Sequence, residues 1–403
     1  MTKNTNMPIL RFPEFKTDWE KKTLGDIGDV KMCKRIFNDQ TTPIGDIPFY
    51  KIGSFGKEAD AYISSELYQE YRQKYPFPKK GDILISAAGT IGRLVVYNGE
   101  DAYFQDSNIV WLKNDEDFIS NHFLYFILSK ANFNTEGGTI QRLYNNILKS
   151  TKFKHPSIPE QTKIASFLTA VDDKLQALKK KKELLEQYKK GVMQQLFSQT
   201  LRFKKDDGTN YPDWEWKKLS EVCFEHLTKN TKNEITEVFS VSKHKGVINQ
   251  IEHLGRSFSA KEILNYKVIN QGDLVYTKSP TSDFPFGIIK QNRTERVGVV
   301  SPLYCVFKPA TYELGYILHE YFFSDVNTFN YLNPLVQKGA KNTMNINNDT
   351  FLNGAELFLP IDNDEQTKIA NFLSAIDDKI AHCQSELDGM ERWKKGLLQQ
   401  MFC

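Results

Sequence analysis

The sixteen residues Glu160–Leu175, EQTKIASFLTAVDDKL, recur with small changes at Glu365–Ile380 as EQTKIANFLSAIDDKI. A repeat this long does not arise by chance. Its spacing is far beyond the roughly 20–50 residues of solenoid or propeller arrays. The whole chain is therefore expected to be a duplication. From those two glutamates the copies run without a gap to KKGVMQQLF (Lys189–Phe197) and KKGLLQQMF (Lys394–Phe402), and about half of the aligned positions are identical. A weaker repeat opens each half: RFPEFKTDWEKKTLGDI from Arg11 and RFKKDDGTNYPDWEWKKLSEV from Arg202. Both start Arg-Phe, reach Asp-Trp-Glu and place a Leu five residues after the Trp. A third echo pairs Lys80-GDILI-Ser86 with Gln271-GDLVY-Thr277, each reading as a turn into a buried strand. Otherwise Phe49–Asn146 and Phe239–Asn348 hardly resemble each other. The layout is variable domain, repeated helix, variable domain, repeated helix.

The repeated segments carry a heptad seam. In the first, Ile164, Leu168, Val171, Leu175, Leu178, Leu185, Val192 and Leu196 fall on alternating steps of four and three, with Lys182 and Lys189 at two seam positions. In the second, Ile369, Leu373, Ile376, Ile380, Cys383, Leu387, Met390, Leu397 and Met401 follow the rule, with Lys394 the exception. This is the a/d pattern of a coiled coil. Pro159 suits a first turn, and Asp362 or Asp364 suits a cap on the second helix. About 34 residues of each helix would span roughly 50 Å. Neither seam turns back into another heptad segment, so each helix needs a partner, and the nearest is the other copy. Antiparallel packing around a pseudo-twofold axis is expected, with the variable domains at opposite ends of a rod. The alternative is a helix packed only on its own domain.

The variable domains read as mixed α/β. Strands are expected at Asp82–Ser86, Leu94–Tyr97 and Ile109–Leu112, and at Leu274–Thr277, Gly287–Lys290 and Leu303–Phe307. A helix follows in each, Phe118–Lys130 and Tyr312–Val326, and then a Gly-containing polar loop, Thr135–Asn146 and Val336–Asn348.

Enzyme machinery is not evident. There is no GxxxxGK[ST] phosphate loop, no GxGxxG after a strand, no GxSxG elbow and no His pair at helical metal spacing. The amino-methyltransferase signature Asn/Asp-Pro-Pro-aromatic is also missing; Asp46-Ile-Pro-Phe49 and Ser279-Pro-Thr-Ser282 are the nearest approaches. Pro212-Asp213-Trp214-Glu215-Trp216-Lys217 superficially resembles a PD…ExK nuclease motif, but Asp213 and Glu215 are too close, and the first copy lacks the Pro. Both copies read instead as structural lead-ins with a buried Trp. The pairs Asp172-Asp173 and Asp377-Asp378, beside Lys174 and Lys379, read as a solvated or partner-facing patch rather than a metal site. Gly89-Thr-Ile-Gly92-Arg93 follows a strand and can offer backbone N–H groups to a phosphate, or can be a tight turn. KSPTSDFPFG, Lys278–Gly287, takes its place in the second half.

With 403 residues the chain has room for two or three domains, and its net charge of +3 is compatible with nucleic acid without marking it. No apolar run reaches the roughly 18 residues of a membrane span. MTKNTNMPILRF has no basic-then-apolar signal pattern. The five cysteines form no CxxC pair, so neither a disulfide framework nor a zinc site is expected, and a cytoplasmic location fits.

Two variable domains alternating with helices that begin EQTKIA-FL and carry a DDK step, with GDxL and GTIGR in the domains, resemble the specificity subunit of type I restriction–modification systems, the HsdS family. The likeness covers nearly the whole chain, and the second half departs from it in lacking GTIGR. The resemblance implies a first target recognition domain at 1–155, a spacer helix at 156–200, a second recognition domain at 201–358 and a second spacer helix at 359–403. Each recognition domain would read one half of an asymmetric bipartite double-stranded DNA target, and an antiparallel intramolecular coiled coil would set the spacing. The subunit would be non-catalytic. It would dock two methylation subunits, which bind S-adenosylmethionine, and two restriction subunits, which use ATP and Mg. No cofactor or metal is expected in this chain, and no membrane partner.

A rod of about 50 Å spans about 15 bp. Half-sites on one DNA face lie about one helical turn apart. Together with the resemblance, this gives half-targets of about 3–5 bp with an unread spacer of about 5–8 bp. Arg, Lys, Gln, Asn, Ser and Thr reach base edges, and polar loops beside Gly present them best. The candidate DNA-contacting residues are Thr90, Arg93, Thr139, Gln141, Arg142 and Asn145 in the first half. In the second they are Lys243, His244, Lys278, Ser279, Lys338, Lys341 and Asn342. The rival reading is a coiled-coil scaffold that binds only proteins. A second rival, a self-sufficient restriction–methylation fusion, is argued against strongly by 403 residues without a methyltransferase motif.

Overall fold

The computed structural model describes residues 7–131, 133, 142–243, 245–257, 259, 262–279, 285–338 and 344–403. It divides into two compact units, Met1–Lys180 with Ser385–Cys403, and Lys181–Gln384.

The first unit is built on a four-stranded antiparallel sheet in the order Val30–Lys31, Ile109–Leu112, Ile83–Ser86, Leu94–Val96. The two central strands are buried at every residue, as a continuous apolar run requires. The GDIL turn works as its sequence implies. Gly81 takes φ +95°, and the Asp82 carboxylate accepts the Lys79 N–H at 2.8 Å, closing the turn before the strand. A smaller sheet, Tyr62–Ile63, Ile47–Tyr50 and Tyr103–Phe104, packs an aromatic core with Phe55, Tyr68 and Trp111.

The second unit repeats that sheet order with Cys223–Glu225, Cys305–Pro309, Leu274–Tyr276 and Ile289–Gln291. Its turn repeats too: Gly272 takes φ +87°, and Asp273 accepts the Asn270 N–H at 2.8 Å. The core beneath it joins Leu274, Tyr276, Phe307, Leu318 and Phe351. The expected helix Tyr312–Val326 is instead two helices, Tyr312–Tyr321 and Asp325–Leu332. The Ser324 hydroxyl caps the second by accepting the Asn327 N–H, so a good N-cap inside the pattern ends one helix and starts another.

The long helices run Ile158–Phe197 and Asn363–Gln400, 40 and 38 residues. Pro159 lies in the first turn of the first, and Asp362 caps the second, accepting the Asp364 and Glu365 N–H groups at 2.9 and 3.1 Å. In the first unit the start of the first helix runs against the end of the second. Phe167 meets Trp393, Asp172 pairs with Lys394, and Lys179 pairs with Glu391. In the second unit Val192, Met193 and Leu196 pack with Ile369, Ala370 and Leu373.

The doubled phrase has a doubled job. Glu160 is fully buried and takes both Arg11 Nε and Nη2 at 2.7 Å, while Trp19 Nε1 donates to it at 3.3 Å. Glu365, 1% exposed, takes Arg202 at 3.3 and 3.4 Å. Gln161 donates to the Phe118 and Pro156 carbonyls and accepts the Ser120 N–H; Gln366 donates to the Pro360 carbonyl and accepts the Thr311 hydroxyl. Lys163 pairs with Glu14, and Lys368 with Asp206. The Arg-Phe…Asp-Trp lead-in and the Glu-Gln-Thr-Lys phrase are therefore two sides of one contact. Both tryptophans are buried, as their reading as structural lead-ins requires.

One reading is corrected. Asp172 and Asp377 are not a solvated or partner-facing patch. Asp172 is bound by Lys394, and Asp377 by Lys189, Arg293 and the Tyr316 hydroxyl.

Candidate nucleic-acid interface

In the first unit the Ile83–Ser86 and Leu94–Val96 strands are joined by residues 86–93, the SAAGTIGR stretch. Gly89 and Gly92 take φ +62° and +80°, left-handed values that favour glycine. Thr90 is exposed at the tip. Arg93 is half-buried, and its Nη1 donates to the Phe55 carbonyl at 2.7 Å, fastening the turn to the neighbouring segment 51–57. Arg142 is exposed and bridges to Ala88, with the Leu143 N–H donating to the Ala87 carbonyl at 2.9 Å. Thr90, Arg93 and Arg142 thus come from two distant stretches onto one loop cluster. Asn145 is exposed at the start of the short helix Asn145–Ser150 that follows. Thr139 and Gln141 lie outside the described residues.

The cluster has a third strip that sequence reasoning missed, Lys51-IGSFG-Lys57. Lys57 is exposed, and Lys51 pairs with Asp60 at 3.4 Å. Two lysines around a pair of glycines was the available signal.

In the second unit the matching connection is residues 277–288, four longer. Lys278 takes φ +53° and turns inward. Its Nζ donates to Asn348 Oδ1 at 2.9 Å, Asn348 in turn donates to Glu225, and burial lowers the lysine pKa. Ser279 is exposed, its hydroxyl donating to the Thr277 carbonyl at 3.2 Å. Lys243 lies 3.9 Å from Asp325. Lys338 belongs to the strand Gln337–Lys338, which pairs with Met344–Asn345. His244, Lys341 and Asn342 lie outside the described residues. The structure therefore gathers one compact set in the first unit, and in the second a longer hairpin with one of its lysines committed to the interior.

Among the described residues no cluster of His, Cys, Asp and Glu is arranged to hold a metal, and no helix is long and apolar enough to cross a membrane. What the loops offer is a set of donors and cations on a rigid sheet, suited to binding an anionic, hydrogen-bonding surface.

Residues 16–187 match the type I restriction modification DNA specificity domain. A putative type I restriction enzyme specificity subunit of Haemophilus influenzae is 62% identical over 146 residues, 36% of this chain and 38% of that protein. The putative MjaX specificity subunit of Methanocaldococcus jannaschii is 27% identical over 236 residues, 53% of this chain and 54% of that one. The matches thus span about two fifths and about half of these relatives. The type I restriction–modification S subunit of M. genitalium shares the fold, with a TM-score of 0.62 at 14% identity over 98% of this chain and 99% of that chain. Over residues 16–187 the chain is thus similar to the specificity domain of type I restriction–modification systems, and it shares its fold with one S subunit of such a system.

Proposed function

We propose that this chain is the non-catalytic DNA specificity subunit of a type I restriction–modification complex. One observation carries the reading. Two units repeat one sheet order and one set of anchoring contacts, yet present unlike loops at the same place. A duplicated frame with divergent loops suits a reader of two different half-targets. The recognition domains are 1–155 and 201–358, and 156–200 and 359–403 are the spacer helices. The helices form an antiparallel intramolecular coiled coil around a pseudo-twofold axis, a reading supported by the opposed packing inside each unit. Helices of 40 and 38 residues run about 60 Å, so the ruler spans about 17 bp of DNA.

Thr90, Arg93, Thr139, Gln141, Arg142 and Asn145 serve one half-target, and Lys243, His244, Lys278, Ser279, Lys338, Lys341 and Asn342 the other. Lys278 acts there by shaping the loop, given its inward bond. The partners are double-stranded DNA, two methylation subunits that carry S-adenosylmethionine, and two restriction subunits that use ATP and Mg, in the cytoplasm.

The test is retention of a randomised duplex pool by the chain with its methylation subunits bound. A reader enriches one bipartite sequence; a protein-only scaffold enriches none.

A further inference from the structure

The hairpins of the two units differ in length and sequence, yet both close on a hydroxyl in the same way. In the first unit the Ser86 N–H donates to the Arg93 carbonyl at 2.9 Å, as in a regular antiparallel pair. The return bond is displaced. The Arg93 N–H donates to Ser86 Oγ at 2.8 Å, and the Ser86 carbonyl takes the Gly92 N–H at 2.9 Å. The same hydroxyl donates to the Thr90 carbonyl at 2.5 Å. Gly92 and Arg93 together face Ser86, with Gly92 left-handed at φ +80°, which makes a glycine bulge.

The second unit repeats the device at the corresponding residues. The Thr277 N–H donates to the Ile288 carbonyl at 3.0 Å, and the Ile288 N–H returns to Thr277 Oγ1 at 3.0 Å. Gly287 precedes Ile288 at φ +87°. The Ser279 N–H also reaches Thr277 Oγ1, at 3.5 Å. Ser86 and Thr277 are 2% and 3% exposed, so water cannot substitute for these bonds without rearrangement.

A bulge re-aims the side chain that follows it. Here that side chain is Arg93, which reaches the Phe55 carbonyl, while the hydroxyl holds Thr90 at the tip. We infer that Ser86 and Thr277 are positioning residues for half-target specificity, each setting the geometry of its unit's reading hairpin without touching a base. This rests on the DNA-reading function proposed above and adds which side chains tune it.

The test measures discrimination, not affinity alone. The chain in complex with its methylation subunits is titrated with the selected duplex and with every single-base change in each half-target. S86A loses about tenfold of its discrimination in one half-target, and T277V the same in the other. S86T and T277S, which restore the hydroxyl, return discrimination to the wild-type value. If S86A does not fold, S86C, nearly isosteric and a weak hydrogen-bonding group, takes its place with the same expectation. Hydroxyl-free variants that discriminate as wild type does, or lose both half-targets equally, overturn the inference and leave the reader function standing. A wild-type complex without sequence preference overturns the function itself.

Discussion

Lys189 donates to the Asp377 carboxylate at 2.6 Å, and the same pairing recurs between Lys394 and Asp172. Lys189 and Lys394 stand 205 positions apart, as do Asp172 and Asp377, so one repeated pair of residues makes two reciprocal contacts. Both lysines are, with Lys182, the residues that interrupt the apolar seams. A polar residue at a seam position fixes register and orientation at a cost in stability, and within each unit the lysine, near the end of one long helix, meets an aspartate near the start of the other.

The two pairs differ in weight. Lys189 also reaches Glu320, which is 1% exposed, and Asp377 also holds Arg293 and Tyr316. Burial pushes the Asp377 carboxyl up, but Lys189, Tyr316 and Arg293 outweigh it and leave its pKa lowered. K189M takes the nearer cation from Glu320 and Asp377 but leaves both with Arg293, and is expected to cost about 1.5–3 kcal/mol. K394M faces one aspartate, with both partners about a quarter exposed, and is expected to cost about 1 kcal/mol. Urea denaturation of the two variants measures the difference.

The anchoring glutamates give a second contrast. Glu160 binds Arg11 through two bonds at 2.7 Å, whereas Glu365 binds Arg202 at 3.3 and 3.4 Å. E160A leaves a nearly buried guanidinium with the Thr17 carbonyl but without its carboxylate, and should cost about 3–5 kcal/mol. E365A should cost less, because Arg202 is more exposed and keeps a second carboxylate, Asp213, at 3.1 Å. Thermal denaturation of each variant checks the order.

Lys290 predicts a pH dependence. It is 2% exposed and lies over the Phe323 ring at 4.2 Å; burial lowers its pKa from 10.5 to about 7. Between about 7 and 10.5 the unfolded chain holds the proton that the folded chain has lost, so this residue's contribution to stability rises with pH across that window. Below it both states are charged and the cost of burial is full. K290M removes the slope and stabilises the chain at pH 7. Chemical denaturation of both proteins from pH 6 to 10 reads the effect as the difference between two curves. A K290M curve with the wild-type slope would assign it to other groups.

Base reading gives the fourth prediction. Replacing Gln141 and Arg142 together by Ala should relax one half-target by about 1–3 kcal/mol per base pair read and leave the other intact. Comparison of the modified motifs of variant and wild type checks it. Loss of both half-targets would remove these residues from the reading set.

The frame was legible because its signals are local or repeated. GDIL and GDLV each hold a turn glycine, a closing Asp and an apolar run, and the strands begin within a residue of the expected place. The helices run 40 and 38 residues rather than the expected 34, each starting two residues before its repeated glutamate. The fate of Asp172 and Asp377 was not legible, because their lysines lie about two hundred residues away in sequence. Nor were the pairings of Glu20–Thr23 with Lys152–His155 and of Glu215–Lys218 with Glu356–Leu359, short strands whose partners also lie more than a hundred residues away. The hydroxyl bulges escaped for a different reason. Ser86 and Thr277 look like ordinary strand ends, and only the displaced bond from Arg93 or Ile288 reveals their role.

The central claim is that two unlike units on one frame read two unlike half-targets. Its most direct test expresses the chain with its methylation subunit in a host free of DNA methylation and maps N6-methyladenine across the genome. One asymmetric bipartite motif, two short half-targets around an unread spacer and modified on both strands, is the predicted result. A soluble complex that modifies no such motif, or modifies a single undivided site, would contradict it.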